Sequence, residues 1–159
     1  FPERSKIPQE DFFCNNANSA ILKSAWKRYE FDEVLTGLED MDLAKKLVAE
    51  GAKIGYVADA AVYHIHSETW GKIKNRFERE AVALQNIMPE VHLNFLDFIR
   101  YFTRAVLIDF KKAMEQKVFF KYAYEIVRYR LAQYWGSYRG NHIHRKLSKR
   151  VKERYFYPS

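Results

Sequence analysis

The chain has 159 residues, of which 48% are hydrophobic and 16% aromatic, so its composition excludes an intrinsically disordered protein. The single cysteine, Cys14, excludes an internal disulfide framework, and no uncharged apolar run approaches the roughly 20 residues of a membrane-spanning helix. The net charge of +7 is unevenly placed, because residues 110–159 carry thirteen Lys and Arg against three Glu, a balance of +10 that leaves −3 for residues 1–109. A segment this basic favours an anionic partner: lipid headgroups, nucleic acid or an acidic protein.

The chain opens on a segment without strong periodicity. Residues 1–11 carry prolines and mixed charge, and we expect them to be irregular. Asn15, Asn16 and Asn18 follow, and asparagine tolerates turn conformations, so residues 12–22 are predicted to form a loop or bent strand that leads into a short helix.

The strongest helix prediction covers residues 39–50. Leu43, Leu47 and Val48 share one face of this segment, and acidic residues crowd its start, where they match the helix dipole. Gly51 supplies a left-handed stop.

Two short strands are predicted after this helix, at residues 53–57 and 61–66. In the second strand Val62, His64 and His66 lie on one face.

From residue 69 onward the pattern is helical almost to the end. Breaks are predicted where a proline, a glycine or a polar run interrupts it: at Pro89, at residues 115–117, at Gly136 and at Gly140. Residues 93–114 and 118–135 combine broad apolar stripes with Lys and Arg, which is typical of helices on an anionic membrane surface. A helical hairpin that packs on the rest of the chain gives the same pattern, and both interpretations stay open.

Three groups of residues suggest chemistry. Glu39 and Asp40 stand where a loop enters a helix, and a carboxylate there can act as a general base, although acids in a first helical turn are also ordinary dipole matching. His64 and His66 alternate on a strand and can bind a metal ion, but two histidines alone make an incomplete site. Residues 40–42 spell D-x-D, yet on a helix the two aspartates diverge, so only Asp40 is assigned a chemical role.

Five segments, each common alone, follow one another along the chain: Cys14-Asn15-Asn16-Ala17-Asn18-Ser19-Ala20, Phe31-Asp32-Glu33, Leu38-Glu39-Asp40-Met41-Asp42-Leu43, Gly51-Ala52-Lys53-Ile54-Gly55-Tyr56 and Ala60-Ala61-Val62-Tyr63-His64. Their order and spacing resemble the second half of family 2 glycosyltransferases of the GT-A fold. The resemblance implies an α/β fold: a partial, Rossmann-like GT-A domain at residues 1–88, followed by a basic, amphipathic α-helical extension at residues 89–159.

The resemblance also implies roles for individual residues. Asp40 matches the general base that deprotonates the acceptor hydroxyl, and Glu39 would support it or touch the acceptor. His64 matches a histidine that completes a metal and diphosphate site, with Mg²⁺ or Mn²⁺ as the expected divalent cation. Four residues would bind substrate: Asn16, Asn18 and Ser19 in the loop that would border the acceptor or the donor sugar, and Arg76 in the helical region predicted from residue 69 onward.

The departures from the family pattern shape the expected function. Processive members carry Q-x-x-R-W, whereas residues 73–77 keep only the arginine, Arg76, which favours single sugar additions; Arg76 is also interpretable as a solvated helix charge. The family's nucleotide-binding half is not in these 159 residues, so we expect a longer parent protein and an inactive fragment. The predicted parent transfers a sugar from a nucleotide-diphosphate donor to a glycan or lipid-linked acceptor, in the cytoplasm or on the inner membrane face. The alternative is a non-catalytic basic helical module that binds anionic membrane or RNA.

Overall fold

The computed structural model describes residues 3–65, 68–143 and 155, and the regular structure within them is helical. The chain divides into two compact units, Phe1–His66 and Ser67–Ser159. The first contains a 3-10 turn, Asn16–Asn18, and the helices α1 (Lys23–Trp26) and α2 (Glu39–Ala49). The second contains α3 (Trp70–Ile87), α4 (Phe95–Glu115) and α5 (Phe119–Asn141).

The predicted α/β, Rossmann-like GT-A fold is wrong, because the described residues form no β-sheet. Residues 53–57 contribute a single antiparallel bridge, in which Lys6 and Tyr56 exchange two backbone hydrogen bonds of 2.8 Å. Residues 61–65 are irregular, and His66, the end of the second predicted strand, lies outside the described residues. Val62 is 56% exposed and Ile65 85% exposed, so both faces of the segment are largely open to solvent. Among the residues that the structure describes, no strand pairs with the backbone of this segment.

Helix α2 confirms the prediction at residues 39–50 and its stop signal. It begins at Glu39 after Leu38, which has a left-handed φ of 60°, and three acids lie in its first turn. Leu43 is buried with 2% exposure, as the apolar face predicts. Gly51, at φ +87°, terminates the helix in the left-handed conformation that glycine adopts without steric cost.

Helices α3 and α5 pack closely in the second unit, and two glycines of α5 lie at their contact. A Cβ atom added to Gly136 would lie 2.4 Å from the Lys74 carbonyl oxygen, and one added to Gly140 would lie 2.2 Å from the Glu78 carbonyl oxygen. The predicted break at Gly136 is therefore wrong, because α5 continues through it, whereas the break predicted at Gly140 lies one residue before the helix ends at Asn141. At both glycines the missing side chain allows the two helix backbones to approach. Glu78 is completely buried at this contact, where one carboxyl oxygen accepts a 2.6 Å hydrogen bond from the Tyr155 hydroxyl.

Helix α4 packs along α5 through an aromatic cluster and one ion pair. Phe98 is buried against Trp135 and Tyr138, with ring centroids 5.7 and 5.8 Å away. Further along, the Arg130 guanidinium donates two hydrogen bonds, of 2.6 and 3.1 Å, to the Asp109 carboxylate. Two-point contact of this kind fixes the register of the helix pair.

Helix α3 packs on α5, and the division between the two compact units falls between residues 66 and 67. Within the ranges that the structure covers, no helix combines the length and the apolar character that a bilayer crossing requires.

Candidate functional site

The candidate site is centred on the carboxylate of Asp40, in the first turn of α2. Asp40 Oδ2 accepts a 2.6 Å hydrogen bond from the backbone N–H of Asn16, which lies 24 residues earlier in the chain. Asp40 Oδ1 accepts a 2.8 Å hydrogen bond from the backbone N–H of Met41. The positive end of the helix dipole also favours the charged carboxylate. The fold thus joins the asparagine-rich loop to the predicted base.

Local hydrogen bonds order the loop that faces Asp40. The Asn15 side chain caps the 3-10 turn by accepting the Ala17 N–H at 2.9 Å, and the Ser19 hydroxyl donates to Asn16 Oδ1 at 2.8 Å. Asn18 Nδ2 donates to the Ala60 carbonyl at 2.6 Å. The predicted substrate-binding residues Asn16, Asn18 and Ser19 therefore lie in one short, exposed loop beside the predicted base.

Glu39 is the first residue of α2, directly before Asp40, and is partly buried. Asp42 points to a different partner, because its carboxylate lies 2.6 Å from Lys46 Nζ, one turn further along the helix. This hydrogen bond raises the pKa of the Lys46 ammonium. The charge of Asp42 is therefore matched within α2.

The half-buried thiol of Cys14 is close enough to Asp40 to sense its charge. Burial raises the pKa of the Cys14 thiol, and the negative charge of Asp40 raises it further, while a hydrogen bond from the Asn15 backbone acts in the opposite direction. Sequence reasoning gave Cys14 no role beyond the motif that it begins. Its closeness to Asp40 depends on the fold of the loop, which residue spacing does not encode.

The substitution Asp40→Asn should make Cys14 react faster with iodoacetamide near neutral pH. Only the thiolate is alkylated, and removing the negative charge lowers the pKa of the thiol. Peptide-resolved mass spectrometry of the intact protein measures the alkylation rate at Cys14 as a function of pH.

The pH midpoint of this reaction should move down while the rate at high pH stays unchanged. Asp42→Asn is the matched control, since it removes the same charge from a carboxylate that faces Lys46. An equal shift of the midpoint in both variants would contradict the proximity of Asp40 and Cys14.

His64, the predicted metal ligand, lies in the exposed, irregular segment that follows Ala60. In the part of the chain that the structure describes, no group of three His, Cys, Asp or Glu side chains is placed to hold a metal ion. His64 by itself offers one possible ligand.

Arg76 lies on α3, in the second compact unit, and is engaged there. Its guanidinium lies 3.0 Å from the Glu68 carboxylate and 3.7 Å from that of Glu80, and it covers the Phe77 ring at 4.6 Å from the centroid. Burial lowers the pKa of Arg76, but the charges of Glu68 and Glu80 outweigh this effect and raise it overall. A diphosphate would have to compete with these two carboxylates for Arg76.

Comparison with models of protein families, with curated proteins and with solved structures found no match.

Proposed function

We propose that the chain is the acceptor-side part of a family 2 glycosyltransferase, with Asp40 as its general base. The parent enzyme transfers a sugar from a nucleotide-diphosphate donor to a glycan or lipid-linked acceptor, one sugar at a time. The observation that supports the proposal most is the 2.6 Å hydrogen bond from Asn16 to Asp40, because it joins two of the sequence segments that resemble this family.

The carboxylate of Asp40 can accept the proton that the acceptor hydroxyl loses in the reaction. Each carboxylate oxygen accepts one backbone hydrogen bond and retains a lone pair that can accept a proton. In the reaction, the acceptor hydroxyl oxygen bonds to the anomeric carbon while the bond from that carbon to the diphosphate oxygen breaks. The hydroxyl proton passes to Asp40, and the nucleoside diphosphate leaves with the bonding electrons.

Positioning of the carboxylate would assist this step. The two backbone N–H donors fix the orientation of the Asp40 carboxylate, so that a lone pair already faces a bound acceptor hydroxyl. Glu39 would support the base or touch the acceptor.

The exposed loop beside Asp40 supplies the expected contacts to sugar. Asn16, Asn18 and Ser19 carry amide and hydroxyl groups, which can donate and accept hydrogen bonds with sugar hydroxyls. His64 is proposed for the diphosphate side, where a divalent cation, expected only with the nucleotide-binding part, would supply charge neutralisation. Arg76, in the second unit, is proposed separately as a substrate-binding residue. The lone cysteine favours a reducing compartment, which for this enzyme is the cytoplasm.

The proposal is tested with the full-length gene product and a panel of nucleotide-diphosphate sugars. Release of nucleoside diphosphate should occur with one donor or a small set, and a glycan or polyprenyl-phosphate-sugar extract should stimulate it. A denatured sample of the same protein is the control for spontaneous donor hydrolysis. Failure to release nucleoside diphosphate from any donor, with the extract present and the protein folded, would contradict the proposed function.

A further inference from the structure

The side of α4 that faces away from α5 carries an open groove. We call it the α4 outer face, and it consists of Arg100, Thr103, Arg104, Leu107, Ile108 and Lys111. These residues recur at intervals of three and four, so they form one continuous strip along the helix. The buried residues of α4, Phe98, Val106 and Ala113, occupy the opposite side.

Large aliphatic side chains are exposed on this strip and beyond both of its ends. Leu107 is 61% exposed and Ile108 46%, and Leu96 and Met114 extend the row with 77% and 57% exposure. Side chains of this kind are the ones that enter the acyl boundary of a bilayer when an amphipathic helix lies in the membrane plane.

The charge of the α4 outer face has one sign. Its six residues include three cations and no acid. Two acids of α4 are engaged elsewhere, since Asp97 forms the capping box with Asn94 and Asp109 binds Arg130. Glu115 lies 3.9 Å from Lys111, but both side chains are mostly exposed, and an ion pair of that kind is weak.

We propose that the α4 outer face docks on an anionic lipid surface. Arg100, Arg104 and Lys111 complement the headgroup phosphates, and the aliphatic row inserts beneath them. This inference is independent of the proposed sugar transfer.

The aliphatic row favours lipid over nucleic acid. Proteins that hold single-stranded RNA combine cations with aromatic rings on which bases stack, whereas leucine, isoleucine and methionine offer bases no stacking surface. The large apolar residues of the α4 outer face, Leu107 and Ile108, are aliphatic, and Leu96 and Met114 extend the row. The exposed Tyr101 lies beside this row, three residues before Arg104, and a tyrosine ring also suits a membrane interface.

Sedimentation of the intact protein with vesicles tests the proposal. Vesicles of equal parts phosphatidylglycerol and phosphatidylcholine should bind the protein, vesicles of pure phosphatidylcholine should bind it much more weakly, and added NaCl should reduce binding to the anionic vesicles. Arg104→Gln combined with Lys111→Gln should weaken binding to the anionic vesicles by about 30-fold, since each cation near such a surface contributes about fivefold.

Two further variants separate this face from general basicity. Lys23→Gln combined with Lys27→Gln removes the same charge from exposed positions of the first unit and should leave binding nearly unchanged. Leu107→Asn keeps the charge of the face and should also weaken binding. All substituted positions are at least about one-third exposed, so folding should survive, and circular dichroism checks this.

Three results would overturn the proposal. One is the absence of binding to anionic vesicles at low salt by the folded wild-type protein. The second is an equal loss of binding in the variant that combines Arg104→Gln with Lys111→Gln and in the variant that combines Lys23→Gln with Lys27→Gln. The third is binding to single-stranded RNA, or self-association in gel filtration, that depends on Arg104 and Lys111 while vesicles remain unbound.

Discussion

Gly140→Ala is expected to lower the free energy of unfolding by about 1–3 kcal/mol, the usual cost of forcing an extra methyl group into a packed contact. The added Cβ would lie 2.2 Å from the Glu78 carbonyl oxygen and 2.8 Å from the Ala81 Cβ. Neither atom can rotate away, because one belongs to the α3 backbone and the other is attached to it. The two helices would have to separate, and this loosens the contact around the buried Glu78.

The gain in helix propensity acts in the opposite direction, but it should be smaller than the gain of about 1 kcal/mol in a helix interior, because Gly140 is the second-last residue of α5. Gly71→Ala is the matched control, because Gly71 also lies in a helix but has nothing within 4 Å of an added Cβ. Urea denaturation of the intact protein measures both variants. A Gly140→Ala protein as stable as the Gly71→Ala protein would show that α3 and α5 do not approach as closely as described.

These glycines illustrate what the sequence could predict about the second unit. The amphipathic patterns at 93–114 and 118–135 located α4 and α5, because apolar spacing is a local property. Glycine was interpreted as a break because it weakens a helix on its own. Gly136 and Gly140 instead lie where another helix crosses, and that neighbour is 58 or more residues away in the chain. The residue type alone did not distinguish a glycine that ends a helix from a glycine that allows a second helix to approach.

The predicted strands failed for a related reason. Alternation at 61–66 describes a segment that could be half-buried, but a strand also needs a partner for its backbone. Among the described residues, the only β-bridge joins Lys6 to Tyr56, and it belongs to the earlier segment 53–57. The alternating pattern of one segment cannot show whether another segment is available to pair with it.

The candidate site was predictable in its side chains and not in its contacts. Asp40 and the asparagine-rich loop were identified together through their order in the sequence, and the structure places Asn16 against Asp40. The donor is a backbone N–H, which every residue except proline carries, so the sequence gave no sign of it. The influence of Asp40 on Cys14 was likewise invisible before the loop was folded.

Asp40→Asn is expected to reduce sugar transfer by about 10²–10⁴-fold, the usual contribution of a general base. The asparagine side chain cannot take the hydroxyl proton, but its carbonyl oxygen can still accept the Asn16 N–H, so the loop should stay in place. The loss should appear in kcat with the donor KM nearly unchanged, because the removed function acts on the acceptor hydroxyl in the transition state.

Asp42→Asn again provides the matched control. It removes the same charge from the same first turn of α2, where the carboxylate binds Lys46. The stability cost of losing either charge near the helix dipole is about 0.3–1 kcal/mol, too small to explain a large loss of activity through unfolding.

The most direct test of the proposed function is therefore the rate of acceptor-dependent nucleoside diphosphate release by the full-length wild-type, Asp40→Asn and Asp42→Asn proteins, measured side by side. We expect the Asp42→Asn protein to turn over nearly as fast as the wild type and the Asp40→Asn protein to lose at least about 100-fold. Undiminished transfer by a folded Asp40→Asn protein would contradict the assignment of Asp40 as the base.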